Sequence, residues 1–312
     1  MSGYRSWSGA FTVRPANEHI GADVEGIELA RAAGDRQVMH EIREALSRHL
    51  VLRIRRQALT PDEAVRFTEY FGPLMDVRRP SPPAVHVPGY PGIQVLSNGL
   101  DAQGRRLGDG NTSAQIWHSD SGQWEVPPGV VLFYCRTTAD PAPATKFLNM
   151  IAVYAALPEH LKARIANLRA RHHMYSQSVD VDVHRNGRSL PREQRAAGMP
   201  HPLVRRHLWT GQPILFLPTR RDSIIDGLAD DEARALLTEL WDFADAAPCQ
   251  WSTALVPDDV VIWDNAASVH CREGWPAQQT RAMWHLLSEG EQPTPMFARR
   301  TVNANDTAQP GY

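Results

Sequence analysis

The chain has 312 residues, 42% of them apolar and 22% charged, enough to bury a large core and too apolar for wholesale disorder. Lys and Arg total 33 against 35 Asp and Glu, so the basic excess of a dedicated nucleic-acid binder is missing. Three cysteines in no metal-binding spacing, an N-terminus (MSGYRSWSGA) without a signal-peptide core, and no run near the ~20 apolar residues of a membrane span make a cytoplasmic protein without a membrane partner the expectation.

Residues 1–10 are polar and read as a flexible N-terminus, 11–290 as one domain, and 291–312 as a tail. That tail is either disordered or strapped over the body or a partner subunit. The first helix starts near Asp35, with Val38, Ile42 and Leu46 on one face. A buried-type strand, Leu50–Ile54, follows. Thr60, Pro61 and Glu63 then form a helix start with a capping box, Ala64, Phe67 and Phe71 give its apolar stripe, and Gly72 ends it. Further helices are predicted after Pro158 (Leu161, Ile165, Leu168) and around Leu236, Leu237, Leu240, Trp241 and Ala244. Strands are predicted at Ile93–Ser97, Gly129–Cys135, Ile214–Leu217 and Val260–Trp263, each bounded by Pro, Gly or Asp. Helices thus dominate up to residue 72 and short strands beyond about residue 90, without the regular alternation of a doubly wound sheet. The expected class is mostly β with helices (α+β), a barrel or sandwich braced by helices. Ser176–Pro200 is long, charged and strand-poor, and reads either as a lid over a site or as a disordered segment.

The chemistry concentrates around Trp117-His118-Ser119-Asp120. On a strand, residues i and i+2 share a face about 6.6 Å apart, so His118 and Asp120 can reach one metal ion. The pair alone says little, because a chain with 13 histidines holds such a pair by chance. Context adds to it. The strand Val260–Trp263 runs through Asp264 and Asn265 towards a second histidine, His270, and Arg281 follows eleven residues later. Two histidines and one carboxylate on one face of a metal leave positions open, the arrangement of non-haem Fe(II) oxygenases. An arginine beside those positions can grip a carboxylate with two parallel hydrogen bonds.

In that order, His118-x-Asp120, His270 and Arg281, the chain resembles the taurine dioxygenase (TauD/TfdA-like) family of Fe(II)/2-oxoglutarate-dependent dioxygenases. The likeness spans roughly residues 11–287. It includes Gly21–Gly26, the Leu59-Thr60-Pro61 helix ending in Phe71-Gly72, Val95–Asn98, Leu157-Pro158 and Trp263-Asp264-Asn265. The resemblance implies a double-stranded β-helix (jelly-roll) core, braced by N-terminal and inserted helices. It implies iron ligation by His118, Asp120 and His270, and a clamp on the distal carboxylate of 2-oxoglutarate made by Arg281 and Thr145. The family's glycines before that threonine are replaced here by Asp140-Pro141-Ala142-Pro143-Ala144. The implied co-substrates are 2-oxoglutarate and O2, the partner is a small-molecule substrate, and the released products are succinate and CO2. Family members often form dimers or tetramers, so a homo-oligomer is expected.

Departures from the pattern bear on the substrate. Where taurine dioxygenase contacts its sulfonate with a histidine, an asparagine and an arginine, this chain has Val77, Ala114 and His285, and a pocket aromatic becomes Gln123. A sulfonate wants strong donors, and two of the three are now aliphatic. The expectation is therefore hydroxylation of a C–H bond in a small polar metabolite, amino-acid-like and not taurine. Asn98, Gln115, Gln123, Trp124 and His285 are the candidate substrate residues, with core packing as the alternative for Trp124 and His285. Asp182, Arg185, Arg188 and Arg192 either meet a charged substrate or are solvated loop charge. His172-His173 is not read as a metal pair, because adjacent strand residues face opposite sides. Asp120 argues against halogenation, since related halogenases lack that carboxylate. The other readings are an oxidative desaturase or cyclase on the same iron, a metal hydrolase, and a jelly-roll binding protein without turnover.

Overall fold

A computed structural model describes residues 11–76, 84–173 and 191–297. The first part runs β1 (Thr12–Pro15), β2 (Ala22–Glu25), α1 (Leu29–Ala32), α2 (Arg36–His49), β3 (Val51–Ile54) and α3 (Pro61–Glu69). The middle holds β4 (His86–Val87), β5 (Tyr90–Ser97), β6 (Gln115–His118), β7 (Pro128–Thr137), β8 (Ala144–Asn149), α4 (Met150–Ala156), α5 (Glu159–Ile165) and β9 (Arg169–His172). The last part holds α6 (Arg192–Ala196), β10 (Met199–Pro202), β11 (Val204–Arg206), β12 (Pro213–Leu215), α7 (Asp230–Asp245), β13 (Gln250–Ala254), β14 (Val260–Asp264), β15 (Ser268–Arg272) and β16 (Ala282–Glu289).

The helix starts follow local chemistry. The Asp35 side chain accepts the Gln37 and Val38 N–H groups at the head of α2. Thr60 and Glu63 cap α3 reciprocally, as their spacing predicts, and Pro61 fills its first turn. Leu50 is not the first residue of β3 but the left-handed cap of α2, with φ of 60°.

The larger sheet has eight strands in the order β1-β2-β3-β14-β7-β16-β5-β4. Within it β2 and β3 run parallel and the other pairs antiparallel. The smaller sheet has four strands, β13-β8-β15-β6. Strand parity explains how the larger sheet is buried on both sides. Along β7, Val131, Phe133 and Cys135 join a core shared with Phe147 and Val269 of the smaller sheet, while Val130, Leu132 and Tyr134 pack on the other face with Ile42, Leu46 and Phe67 of α2 and α3. A strand covered on both faces reads as a continuous apolar run, which is how β7 and β14 announce themselves. The helix-dominated N-terminal portion needs a correction: besides the expected β3, β1 and β2 extend the larger sheet, in segments too short and polar to show a period. Gly21, at φ of +86°, lets this edge approach closely, because a Cβ there would lie 2.4 Å from the Trp251 ring.

Residues 176–190 of the suggested lid, with Asp182, Arg185 and Arg188, lie outside the described residues, as do residues 174–175, Val77, residues 1–10 and 298–312. The described end of the lid segment is not a loop. It forms α6 and then β10, which pairs with β9. Arg192 and Arg195 there both reach Asp230, so Arg192 anchors α6 to the head of α7 and does not face a substrate. Of the tail, residues 291–297 form a strap: the Arg206 N–H donates to Thr294 O, and the Met296 N–H to Val204 O. No helix among the described residues is long and apolar enough to cross a membrane.

Candidate metal centre

Three side chains from two segments far apart in sequence converge between the sheets. His118 ends β6, and its Cα partner across the smaller sheet is His270 on β15. Asp120 lies two residues on, but β6 stops at His118, and Asp120 opens a turn in which Ser121 has φ of 49°. Turn geometry, not strand alternation, brings it back to His118. Asn265 fixes the turn: its Oδ1 accepts the Asp120 N–H at 2.9 Å, and its Nδ2 donates to Asp120 O at 3.0 Å and Pro128 O at 3.1 Å.

One ligand atom from each of His118, Asp120 and His270 lies within 4.8 Å of the others, and all three residues are buried. His118 Nε2 stands 3.8 Å from Asp120 Oδ1, and His270 Nε2 3.9 Å from Asp120 Oδ2. Those gaps exceed hydrogen-bond length and leave room for an ion between the atoms. Nδ1 of His118 lies 2.7 Å from Ile116 O. A carbonyl only accepts, so Nδ1 carries the proton and Nε2 presents a lone pair. The His270 ring is held by packing, 4.9 Å from Trp263 and 5.9 Å from Phe147 between centroids.

Electrostatics complete the donor set. Burial pushes the Asp120 carboxyl up, but His270, His285 and His118 around it outweigh that and hold it well below the usual carboxylate range. Burial lowers His118 against the pull of Asp120. Burial, helped by His118, lowers His270 to about 3. Two neutral imidazoles and one carboxylate are the protonation states that a divalent metal requires. Asp120 Oδ2 is buried without a hydrogen bond, an orphan that an ion would satisfy. Among the described residues this is the one His/Cys/Asp/Glu group with metal-binding geometry.

Two cavities meet at this centre. The wider, about 350 Å³, is walled by the three residues with Gln115, Gln123 and His285 among others. The narrower, about 60 Å³, holds Thr145 and Arg281, which are 2% and 6% exposed. Gln115, Phe133 and His270 line both. The Arg281 guanidinium has no carboxylate within ion-pairing distance among the described residues and faces the Trp275 ring at 5.4 Å.

The other expected residues divide. Asn98 lines neither cavity: it accepts the Arg281 N–H at 2.9 Å and donates to Gln279 O at 2.9 Å, so it fixes the backbone that carries Arg281. Trp124 is also outside, and its carbonyl meets His201 Nε2 at 3.0 Å. His285 does reach the site. Its Nε2 lies 3.4 Å from Asp120 Oδ2 without hydrogen-bond alignment, while Nδ1 meets Gln94 Oε1 at 3.0 Å. His172 and His173 both line the wider cavity, against the alternation argument, because β9 ends at His172. His172 stacks on Phe216 at 4.3 Å and belongs to the wall, not the ligand set. Sequence reading missed the role of Asn265. The Trp-Asp-Asn run was visible, but its grip on Asp120 is a contact between segments 145 positions apart.

The profile described as "Taurine catabolism dioxygenase TauD, TfdA family" matches residues 12–287. The (S)-phenoxypropionate/alpha-ketoglutarate-dioxygenase of Sphingobium herbicidovorans is 31% identical over 291 residues, covering 91% of this chain and 96% of that protein. The pentalenolactone F synthase of Streptomyces arenae is 28% identical over 286 residues, covering 88% and 93% respectively. Among solved structures, a taurine dioxygenase from Burkholderia xenovorans superposes with a TM-score of 0.72 at 25% identity, over 92% of this chain and 93% of that one.

Proposed function

The chain belongs to the TauD, TfdA family and is an Fe(II)/2-oxoglutarate-dependent dioxygenase, and from that premise we propose how its residues divide the work. His118, Asp120 and His270 hold the iron, Arg281 and Thr145 take the distal carboxylate of 2-oxoglutarate, and the wider cavity receives a small-molecule substrate. One observation supports this division above the others. The narrow cavity with the uncompensated Arg281 shares its His270 wall with the metal centre, so a dicarboxylate seated on Arg281 points its other end at the ligands. We take the two facing sheets as the jelly-roll core, a reading supported by the superposition on a taurine dioxygenase.

Bound iron, 2-oxoglutarate and O2 supply the oxidising power that breaks a substrate C–H bond, with succinate and CO2 as products. This chain's own residues supply geometry and shelter. The Ile116 carbonyl keeps His118 in the ligating tautomer, Asn265 fixes Asp120, and Asn98 fixes Arg281. Buried walls exclude water, which protects an oxidising site from side reactions.

For the substrate, a cavity of about 350 Å³ suits a small molecule. Leu96, Phe133 and Leu287 offer an apolar wall, and Gln94, Gln115 and Gln123 offer amide contacts. We infer hydroxylation of a small organic acid or polar metabolite with an apolar body. This moves away from the amino-acid-like expectation and towards compounds of the phenoxypropionate type, which the Sphingobium relative takes by name. The three free cysteines support a cytoplasmic setting.

The test has two stages. Anaerobic titration with Fe(II) and 2-oxoglutarate should produce a visible charge-transfer band that His118→Ala abolishes; no band, or a band untouched by the substitution, overturns the iron assignment. Succinate release is then screened over phenoxypropionate enantiomers, amino acids and taurine. The expected product gains one oxygen, taurine should give no stimulation, and a loss of two hydrogens would instead establish the desaturase.

A further inference from the structure

Arg272 was not among the residues that sequence reading selected, yet it occupies a special place. It lies two residues beyond His270 on β15, on the same side of the strand, with a bulge between them. Its Cα partner on β8 is Thr145, and on β6 it is Gln115. Directly opposed strand residues share a face, so Arg272 and Thr145 look into the same space. Both line the narrow cavity, together with Arg281 and Trp275. The two guanidinium groups flank one indole, Arg272 at 4.3 Å and Arg281 at 5.4 Å from the Trp275 ring.

Among the described residues neither cation meets an anion. Arg272 is 6% exposed, and its hydrogen bonds go to neutral acceptors: Gln115 Oε1 at 3.3 Å, Asn111 O at 3.3 Å, Ser113 O at 2.9 Å and Glu273 O at 3.2 Å. Asp109 also borders the cavity, but its Oδ2 is taken by the Val85 N–H and the Gln94 amide. A guanidinium stays protonated at neutral pH, so Arg272 brings a positive charge into this buried cavity with no carboxylate within ion-pairing distance among the described residues. A pair of like charges placed side by side in a buried cavity is unfavourable until an anion arrives.

We propose that Arg272 is a second cationic contact for the co-substrate, which makes the narrow cavity selective for a dianionic 2-oxo acid. The inference rests on the 2-oxoglutarate reading above. Arg281 and Thr145 grip the distal carboxylate. Arg272 adds the second positive charge and, through the Asn111 and Ser113 carbonyls, ties the filled cavity to the chain entering His118. It is a positioning and specificity residue and touches no reacting atom.

The test measures binding, not turnover. The full chain loaded with Mn(II) is titrated with 2-oxoglutarate and, separately, with the monoanion 2-oxobutyrate, by calorimetry with Trp fluorescence as a second signal. Arg272→Gln should weaken 2-oxoglutarate binding by roughly 10–100-fold. It should also flatten the salt dependence, shrink the preference over 2-oxobutyrate, and leave Mn(II) affinity within about threefold. Arg272→Lys, which keeps the charge but cannot bridge the loop carbonyls, should retain most of the affinity and decides the matter if the glutamine variant does not fold. Wild-type affinity in Arg272→Gln while Arg281→Gln loses binding would overturn the proposal and leave Arg272 a loop staple. Equal losses in the lysine and glutamine variants, or a parallel loss of Mn(II), would overturn it too. Absence of 2-oxoglutarate binding in the wild type would instead overturn the functional reading beneath it.

Discussion

The His207–Asp264 pair and the His118–Asp120–His270 set are made of the same residue types and are both buried, yet one is closed and the other open. His207 Nε2 meets Asp264 Oδ2 at 2.7 Å, and its Nδ1 meets Thr210 Oγ1 at 2.6 Å. The second Asp264 oxygen accepts the Ala266 and Ala267 N–H groups at 2.9 and 3.0 Å. At the metal centre the imidazoles stand back at 3.8 and 3.9 Å, and Asp120 Oδ2 has no hydrogen bond. A buried His–Asp pair that satisfies itself is structure. One whose polar atoms converge on a shared gap leaves a need that a ligand can fill. Neighbouring residues of one run serve both ends, Asp264 in the closed pair and Asn265 on the Asp120 backbone.

Substitutions can break this contrast. The largest effect is expected at the open set: Asp120→Asn should abolish turnover and detectable Fe(II) binding while leaving the thermal midpoint of the metal-free protein unchanged or raised. A large drop in that midpoint would make Asp120 a structural residue. At the closed pair the pattern should invert. His207→Ala strips Asp264 of its partner and should cost about 3 kcal/mol of stability, read by denaturant unfolding, with Fe(II) affinity intact. Asn265→Ala stands between the two. It removes three hydrogen bonds, should weaken Fe(II) binding by roughly 10–100-fold, and should destabilise the fold by about 1–3 kcal/mol.

The smallest effect concerns pH at His201, which packs behind the cavity-wall residue His172 at 5.2 Å between ring centroids. Burial holds His201 down to about 4 from its ordinary 6.5. Its folded value is thus below its unfolded value, so the unfolded chain binds the extra proton first. The contribution of His201 is complete above pH 6.5 and is lost as pH falls through that value towards 4. Thermal melts across this window should show the midpoint falling, and His201→Gln should flatten that part of the curve. An unchanged slope in the variant would assign the acid sensitivity elsewhere.

Local chemistry was legible wherever one segment contains its own reason. The Thr60–Glu63 capping box, the Asp35 cap and the runs of β7 and β14, apolar because both faces are covered, all read directly from neighbouring residues. The candidate metal set was legible as residue types in order, His118, Asp120 and His270, with Arg281 following. Asp120 does stand beside His118, but a turn and not a strand delivers it. Asn98 was placed against the substrate because it is near the site in chain order, although its side chain faces the Arg281 backbone.

The sequence by itself determined the donor types and the candidate cation, as residue types in a recognisable order, and the starts and stops of the helices, because these depend on residues within a few positions of one another. Tertiary structure alone decided which His–Asp pair is sealed and which stays open, which strand faces which, and that Arg272 stands opposite Thr145 in one small cavity. Those outcomes depend on register and on distances of a few ångströms between segments separated by tens of residues to more than a hundred. No local pattern encodes such distances, because packing of the whole chain sets them.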